Sequence, residues 1–280
     1  MKTIERDPVG IIFRTFASKE AQLEERVNLL EQAIEKSLNL SFKDRPIFRF
    51  VDILVPSNPN FPSVDCGLMV EALKQRWGSE RRVRIHKTMG DLFCGTLNAG
   101  VSIQMESGLR YSLIASPDAH EYITNENVMG MLIKADGGAK VVGLAINELR
   151  ESIWQGKIAN TFCLWHNRSL LTVGGFNLLS AEPENEKRSH YLEGADKDGK
   201  PQYYKINGVE EVIPAALLVK TFGKCIAVVN PENADQKYKV VTDPEIQKRH
   251  VAKMATKEIR QNELLSMLGL HPSILENGII

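Results

Sequence analysis

Short apolar runs of strand-forming residues alternate along this chain with segments whose apolar residues recur at helical spacing, and that alternation restricts the fold more than any other feature. The first run, VGIIFRTFA (9–17), reads as a buried strand. Ser18 then offers an N-cap, and Leu23, Val27, Leu30, Ala33 and Ile34 share one helical face through residue 37. IFRFVDILV (47–55) predicts a second strand closed by the turn PSNPNFP, GLMVEALKQRW (67–77) a second helix, and RRVRIHK a third short strand. A Gly-rich segment follows around 90–100. YSLIASPD (111–118) then predicts a strand, 125–136 a helix and 139–146 another strand. Strands separated by helices imply parallel pairing, because parallel neighbours need a crossover connection. The expected fold class is α/β: a mostly parallel central sheet flanked by helices.

The second half is less regular. Residues 166–172 read as a helix that runs into Gly174-Gly175, and 180–205 is a charged, turn-rich excursion. GVEEVIPAALLVKTFGKCIAVVN (208–230) restores order as a helix, a stop at Gly223 and a strand. Pro214 fits only a first turn, which sets the start of that helix near residue 212. Asp243-Pro244 is a start signal for a helical tail. The expected organisation is one domain over 1–242 and a helical C-terminal tail over 243–280, the latter free to pack on a partner.

Composition excludes several classes of function. The 280 residues carry 35 basic and 35 acidic side chains, so no global field attracts nucleic acid or an anionic membrane. Cys66, Cys94, Cys163 and Cys225 lie far apart without CxxC spacing and read as buried thiols in a reducing compartment. MKTIERDPVGIIF is charged where a signal peptide needs an apolar core, and no run approaches the ~20 apolar residues of a membrane span. The expected setting is cytoplasmic.

In a sheet of this kind ligands bind beyond the carboxyl ends of the strands. The residues placed there are Arg14, Thr15 and Phe16, then Ser57 and Asn58, then Ser116, Asp118, His120 and Glu121. In the last group two carboxylates and an imidazole within a few residues suit a divalent cation, although a polar strand-end turn capped by Asp118 has the same composition. Glu210-Glu211 stand at a predicted helix N-terminus, where the dipole alone favours acids; the functional reading is a general base. Gly174-Gly175 suit either a turn or a backbone that approaches a ligand closely. His86, His166, His190, His250 and His271 are scattered.

Taken in order, a strand ending in Thr15-Phe16, LNAGVS (97–102), YSLIASPDAHEYIT (111–124), GKIANTFCLWHNRSLLTVGGF (156–176) and GVEEVIPAALLVKTFGKCIAVV (208–229) resemble the blocks of family-2-type glycosyltransferases of the GT-A fold. The resemblance covers roughly residues 9–231. It implies a nucleotide-diphosphate sugar donor and a hydroxyl acceptor of unspecified identity. Thr15 and Phe16 would lie beside the base, and Asn98, Gly100 and Ser116 along the donor. Asp118, as the second acid of the Asp-x-Asp motif, would bind Mn²⁺ or Mg²⁺ with help from His120. Trp165, Gly174 and Gly175 would border the sugar and acceptor, and Glu210-Glu211 would supply the base of an inverting, metal-assisted displacement. The sequence departs from the family pattern at three points. Ser116 replaces the first Asp of the motif, VPSNPN carries no acid after the second strand, and Glu replaces Asp at 211. These departures keep open a non-catalytic binding or interaction module of the same fold. A sugar-nucleotide-forming nucleotidyltransferase would need a Gly-rich loop after the first strand, and RTFASKEAQ has no glycine.

Overall fold

The computed structural model describes residues 8–17, 22–57, 66–89, 93–146, 156–180, 190–195, 201–204, 209–232 and 244–280. Strand β1 (Val9–Arg14) leads into helix α1 (Leu23–Asn39), a small hairpin of β2 (Ser41–Phe42) and β3 (Arg45–Pro46), and strand β4 (Phe48–Ser57). Helix α2 (Cys66–Trp77), β5 (Val83–Met89), α3 (Cys94–Glu106) and β6 (Tyr111–Ala115) follow. A 3₁₀ segment (Pro117–Tyr122) precedes α4 (Asn125–Asp136) and β7 (Val141–Leu144). Then come β8 (Phe162–His166), α5 (Asn167–Thr172), a hairpin of β9 (His190–Ala195) and β10 (Pro201–Tyr204), α6 (Val212–Phe222), β11 (Ile226–Val229), α7 (Pro244–Met267) and α8 (Ile274–Asn277). Ser18, Asn58 and Asp243, named above as cap, strand-end and helix-start residues, lie outside the described residues.

Seven strands form one sheet in the order β11-β7-β8-β6-β1-β4-β5. β1 pairs in parallel with both β4 and β6, β5 with β4, and β11 with β7. Strand β8 runs antiparallel to β6 on one side and β7 on the other, so the sheet is mixed but mostly parallel. The sequence reading missed β8. FCLWH shows no period-2 alternation because both of its faces are covered, and it runs without a break into α5. The Gly-rich stretch expected around 90–100 is in part the first turns of α3. There Gly100 lets the helix settle on the sheet: a Cβ would meet the Leu54 side chain at 2.6 Å and Ile12 at 3.2 Å. The expected strand to residue 118 ends at Ala115, because Pro117 opens the 3₁₀ segment.

Alternating side chains divide the core into two layers. Ile11, Phe13, Leu113 and Ala115 face α1, α2 and α4, whereas Ile12, Ile114, Cys163 and Trp165 face α3, α5, α6 and α7. A fully buried side chain such as Phe13 contributes about 2–3 kcal/mol. Pro214 sits in the first turn of α6 and Gly223 ends that helix at φ 71°, both as expected. The C-terminal segment packs on its own chain. Leu264, Leu265 and Leu275 join the second layer, Cys225 and Ile226 donate to the Gly278 carbonyl at 2.9 Å, and Ile226 pairs with Ile279. All four cysteines are free and buried.

Candidate functional site

The carboxyl edge of the sheet collects most of the residues singled out above. The Thr15 amide, one residue past β1, donates to the Leu54 carbonyl at 3.0 Å. Thr15 is thereby buried, with Phe16 half-buried beside it. Past β6, the Ser116 amide donates to Thr161 at 2.9 Å, and the Ser116 hydroxyl donates to Asp118 Oδ2 at 3.2 Å. The 3₁₀ segment carrying Asp118, His120 and Glu121 lies against α1. There Arg26 Nη1 stands 3.5 Å from Asp118 Oδ2, and Lys36 Nζ donates to Glu121 at 2.7 Å. That lysine bond is the main reason the Glu121 carboxyl lies below its usual range.

Whether Asp118 and His120 suit a cation is decided by what their atoms already face. His120 Nδ1 is 3.0 Å from the Pro117 carbonyl and its Nε2 is 2.9 Å from Glu121 Oε1, so both ring nitrogens are directed at oxygens of their own segment. Ser116 contributes a hydroxyl where a second carboxylate would be needed, and Asp118 faces a guanidinium. Among the described residues no group of three His, Cys, Asp or Glu side chains could hold a metal ion. The pair expected as metal ligands does not fit one.

Glu210 and Glu211 stand at the N-terminus of α6, with Glu211 7% exposed and Glu210 half-buried. Burial raises the Glu211 carboxyl from 4.5 to about 7. Lys257 on α7 opposes the shift and the Glu210 charge adds to it. Glu211 also acts on Cys163, whose thiol is pushed well up by its own burial and then by this carboxylate. Cys163 pairs with Ile114, one residue before the end of β6, so Glu211 sits at the same edge of the sheet as Ser116 and Asp118, on its other face.

Gly175 has a clear neighbour. The Asn98 carboxamide accepts from the Phe176 amide and donates to the Phe176 carbonyl, both at 2.8 Å, and a Cβ on Gly175 would stand 2.5 Å from Asn98 Oδ1. With φ of 94° and 69°, Gly174 and Gly175 make a left-handed turn that Asn98 clamps from α3. Trp165, expected from the resemblance to border the sugar and acceptor, is a core residue. It is fully buried, edge-on to Phe176 at 5.3 Å, and donates to Asn160 Oδ1 at 3.1 Å. The structure therefore assigns Asn98, Gly100, Trp165 and Gly175 to internal contacts that hold the edge in shape. Ser180 carries the same scaffold on to the acids, accepting the Val209 amide at 2.7 Å and donating to the Glu210 carbonyl at 3.3 Å.

The sequence reading passed over a buried polar network. Asp52, 0% exposed in β4, receives Arg84 bidentately at 2.7 and 2.8 Å, faces His86 at 2.8 Å and accepts from Gln104 at 2.9 Å. Burial alone would raise this carboxyl, but the bonds from His86, Arg84 and Gln104 outweigh it and the net displacement is downward. A signal was present: one acid inside an apolar strand requires a cation across the sheet, and Asp52 is in register with Arg84.

No family model matches the chain, and no curated protein matches it. Among solved structures it is similar to glucosyl-3-phosphoglycerate synthase from Mycobacterium tuberculosis in complex with Mn²⁺ and UDP-glucose. That likeness has a TM-score of 0.51 at 10% identity, over 96% of this chain and 82% of the synthase. The chain has the GT-A fold. Matches of lower score include the mannosyltransferase PcManGT from Pyrobaculum calidifontis with GDP-mannose and Mn²⁺ (TM-score 0.47, 12% identity, 96% and 77% covered). A cytidylyltransferase from Leptospira borgpetersenii is another (0.46, 12%, 98% and 99%). Among the described residues no helix is long and apolar enough to cross a membrane.

Proposed function

We propose that this chain is a glycosyltransferase that moves a sugar from a nucleotide-diphosphate donor to a hydroxyl acceptor, with Glu211 as the general base. The observation that carries this reading is Glu211 itself, a buried carboxylate raised to about 7 at the edge where a ligand of this fold would lie. A base matched to neutral pH accepts a hydroxyl proton readily and is half in its active form there. The acceptor oxygen attacks the anomeric carbon as Glu211 takes its proton, the bond from that carbon to the diphosphate breaks, and configuration inverts. Thr15 and Phe16 border the base of the nucleotide, and Ser116 and Asp118 the diphosphate. Glu210 keeps the neighbouring field negative. Asn98 and Gly174-Gly175 hold the backbone at Phe176 that shapes the acceptor side. No step is routed through a metal, since Asp118 and His120 do not fit one.

One observation favours a second reading, a binding module of the same fold without turnover: the hydroxyl of Ser116 where the family pattern has a carboxylate. Incubating the protein with UDP-, GDP-, CDP- and dTDP-sugars and a panel of hydroxyl acceptors, water included, and following release of the nucleoside diphosphate separates the two. Release that falls about 100-fold or more in Glu211→Gln supports the transferase. Binding of a nucleotide without release, by wild type and variant alike, supports the module.

A further inference from the structure

Where the expected metal ligands do not assemble, the structure presents a cation of its own. Arg26 stands one residue beyond Glu24 and Glu25, the acids of the first turn of α1, at a helix end where the dipole favours anions rather than guanidinium. Its side chain is 35% exposed, and among the described residues its hydrogen bond is from Nη1 to Asp118 Oδ2 at 3.5 Å. A guanidinium carries five N–H donors in a planar fork. Four of Arg26's have no protein acceptor among the described residues. Asp118 in turn is steadied by the Ser116 hydroxyl, and Ser116 follows the last residue of β6 directly. Asp118 therefore does for Arg26 what it would otherwise do for a metal: it fixes a positive group just past the carboxyl end of a central strand. Both partners arise at that edge by topology, since α1 begins soon after the end of β1 and the 3₁₀ segment follows the end of β6.

We propose that the diphosphate of the donor is bound without a metal ion, its charge met by the Arg26 guanidinium that Asp118 holds at the carboxyl edge of the sheet. The inference rests on the reading of a nucleotide-sugar donor site. The ligand class is a nucleoside diphosphate or its sugar ester, and the recognition is a forked, charge-assisted contact to phosphate oxygens. A phosphate bound there would also lie near the N-terminus of α1, where the helix dipole favours an anion.

The test is calorimetric titration of the full chain with UDP, GDP, CDP and dTDP, each in excess EDTA and again with Mn²⁺. One nucleotide should bind with the same affinity in both buffers. Arg26→Ala, and the shorter, polar but uncharged Arg26→Gln, should each weaken it about tenfold or more at an unchanged melting temperature. Binding that appears only with Mn²⁺ overturns metal-free recognition while leaving the donor site intact, as does full affinity in both Arg26 variants. Failure of every nucleotide in both buffers removes the donor-site reading itself, and this inference with it.

Discussion

Replacing Glu211 with Gln tests the proposed base through stability before any substrate is known. The carboxyl titrates near 4.5 when exposed and near 7 in the folded protein, because burial penalises its charge and Glu210 adds to the penalty more weakly than Lys257 relieves it. The folded state thus holds its proton more tightly than the unfolded chain. The associated stability is full below about pH 4.5 and is lost as pH rises through about 7. At 1.36 kcal/mol per pH unit between the two values, the loss approaches roughly 3 kcal/mol, of which about 2–3 kcal/mol falls between about pH 5 and about pH 8. Gln has nearly the same shape and no charge to bury, so its variant escapes that loss. Urea unfolding of both proteins across this range should show Glu211→Gln gaining about 2 kcal/mol or more on wild type as pH rises, at constant m. Titrating groups that do not interact with Glu211 cancel in the difference, and Glu210 and Lys257, which do, change it less than burial does. A difference that is flat with pH, or that shrinks, would refute burial of an ionisable carboxylate at this position. The same group should give kcat/KM an acid limb near pH 7, absent from the residual activity of the variant.

Arg84→Met should destabilise the protein by about 3–5 kcal/mol in chemical unfolding, because it leaves Asp52 buried beside His86 and Gln104 without its bidentate partner. Adding Asp52→Leu to that variant should recover part of the loss. Gly175→Ala should lower stability by about 1–3 kcal/mol and more than Gly174→Ala. Both have positive φ, but only at 175 does a Cβ run into Asn98, as paired thermal melts would show. The Asp52 carboxyl, held below its usual range, contributes stability that is present above about pH 4 and lost as pH falls further. Acid titration of wild type against Asp52→Asn should show that contribution vanish at low pH.

Most of the fold was legible because its strands and helices keep separate periods. VGIIFRTFA, IFRFVDILV and the apolar start of YSLIASPD are bounded by turn residues, and Leu23, Val27, Leu30 and Ile34 lie on one helical stripe that is indeed half-buried or buried. The main-sheet strand that escaped, Phe162–His166, is five residues long, covered on both faces and joined directly to a helix, so it has no period to read, and the small β2–β3 and β9–β10 hairpins escaped with it. The site was legible in its acids and much less in its neutral residues. Glu211 announced itself beside a helix start, whereas Trp165, Asn98 and Gly175 carry residue types that serve a ligand and a core equally well. Only contacts separate the two uses, and here the contacts converge on Phe176. The Asp52–Arg84 network was hidden for a different reason: its members lie 32 residues apart and meet only through strand register.

The placement of the two charged groups follows from the end of β6. Leu113 and Ala115 belong to the layer under α1, and Ile114, with its partner Cys163, belongs to the opposite layer. When the strand stops, Pro117 turns the chain toward the first layer and delivers Asp118 to Arg26. The antiparallel neighbour β8 meanwhile brings Cys163 beneath Glu211 from the second. A donor lying across this edge would have its diphosphate toward the α1 layer and its anomeric carbon toward the α6 layer, with the leaving charge and the base on opposite sides of the bond that breaks. In-line displacement requires that separation, since attack and departure take opposite faces of the anomeric carbon. The antiparallel strand that the sequence pattern concealed is therefore the element that sets Cys163 beside Glu211, the proposed base, in the layer opposite Asp118 and Arg26.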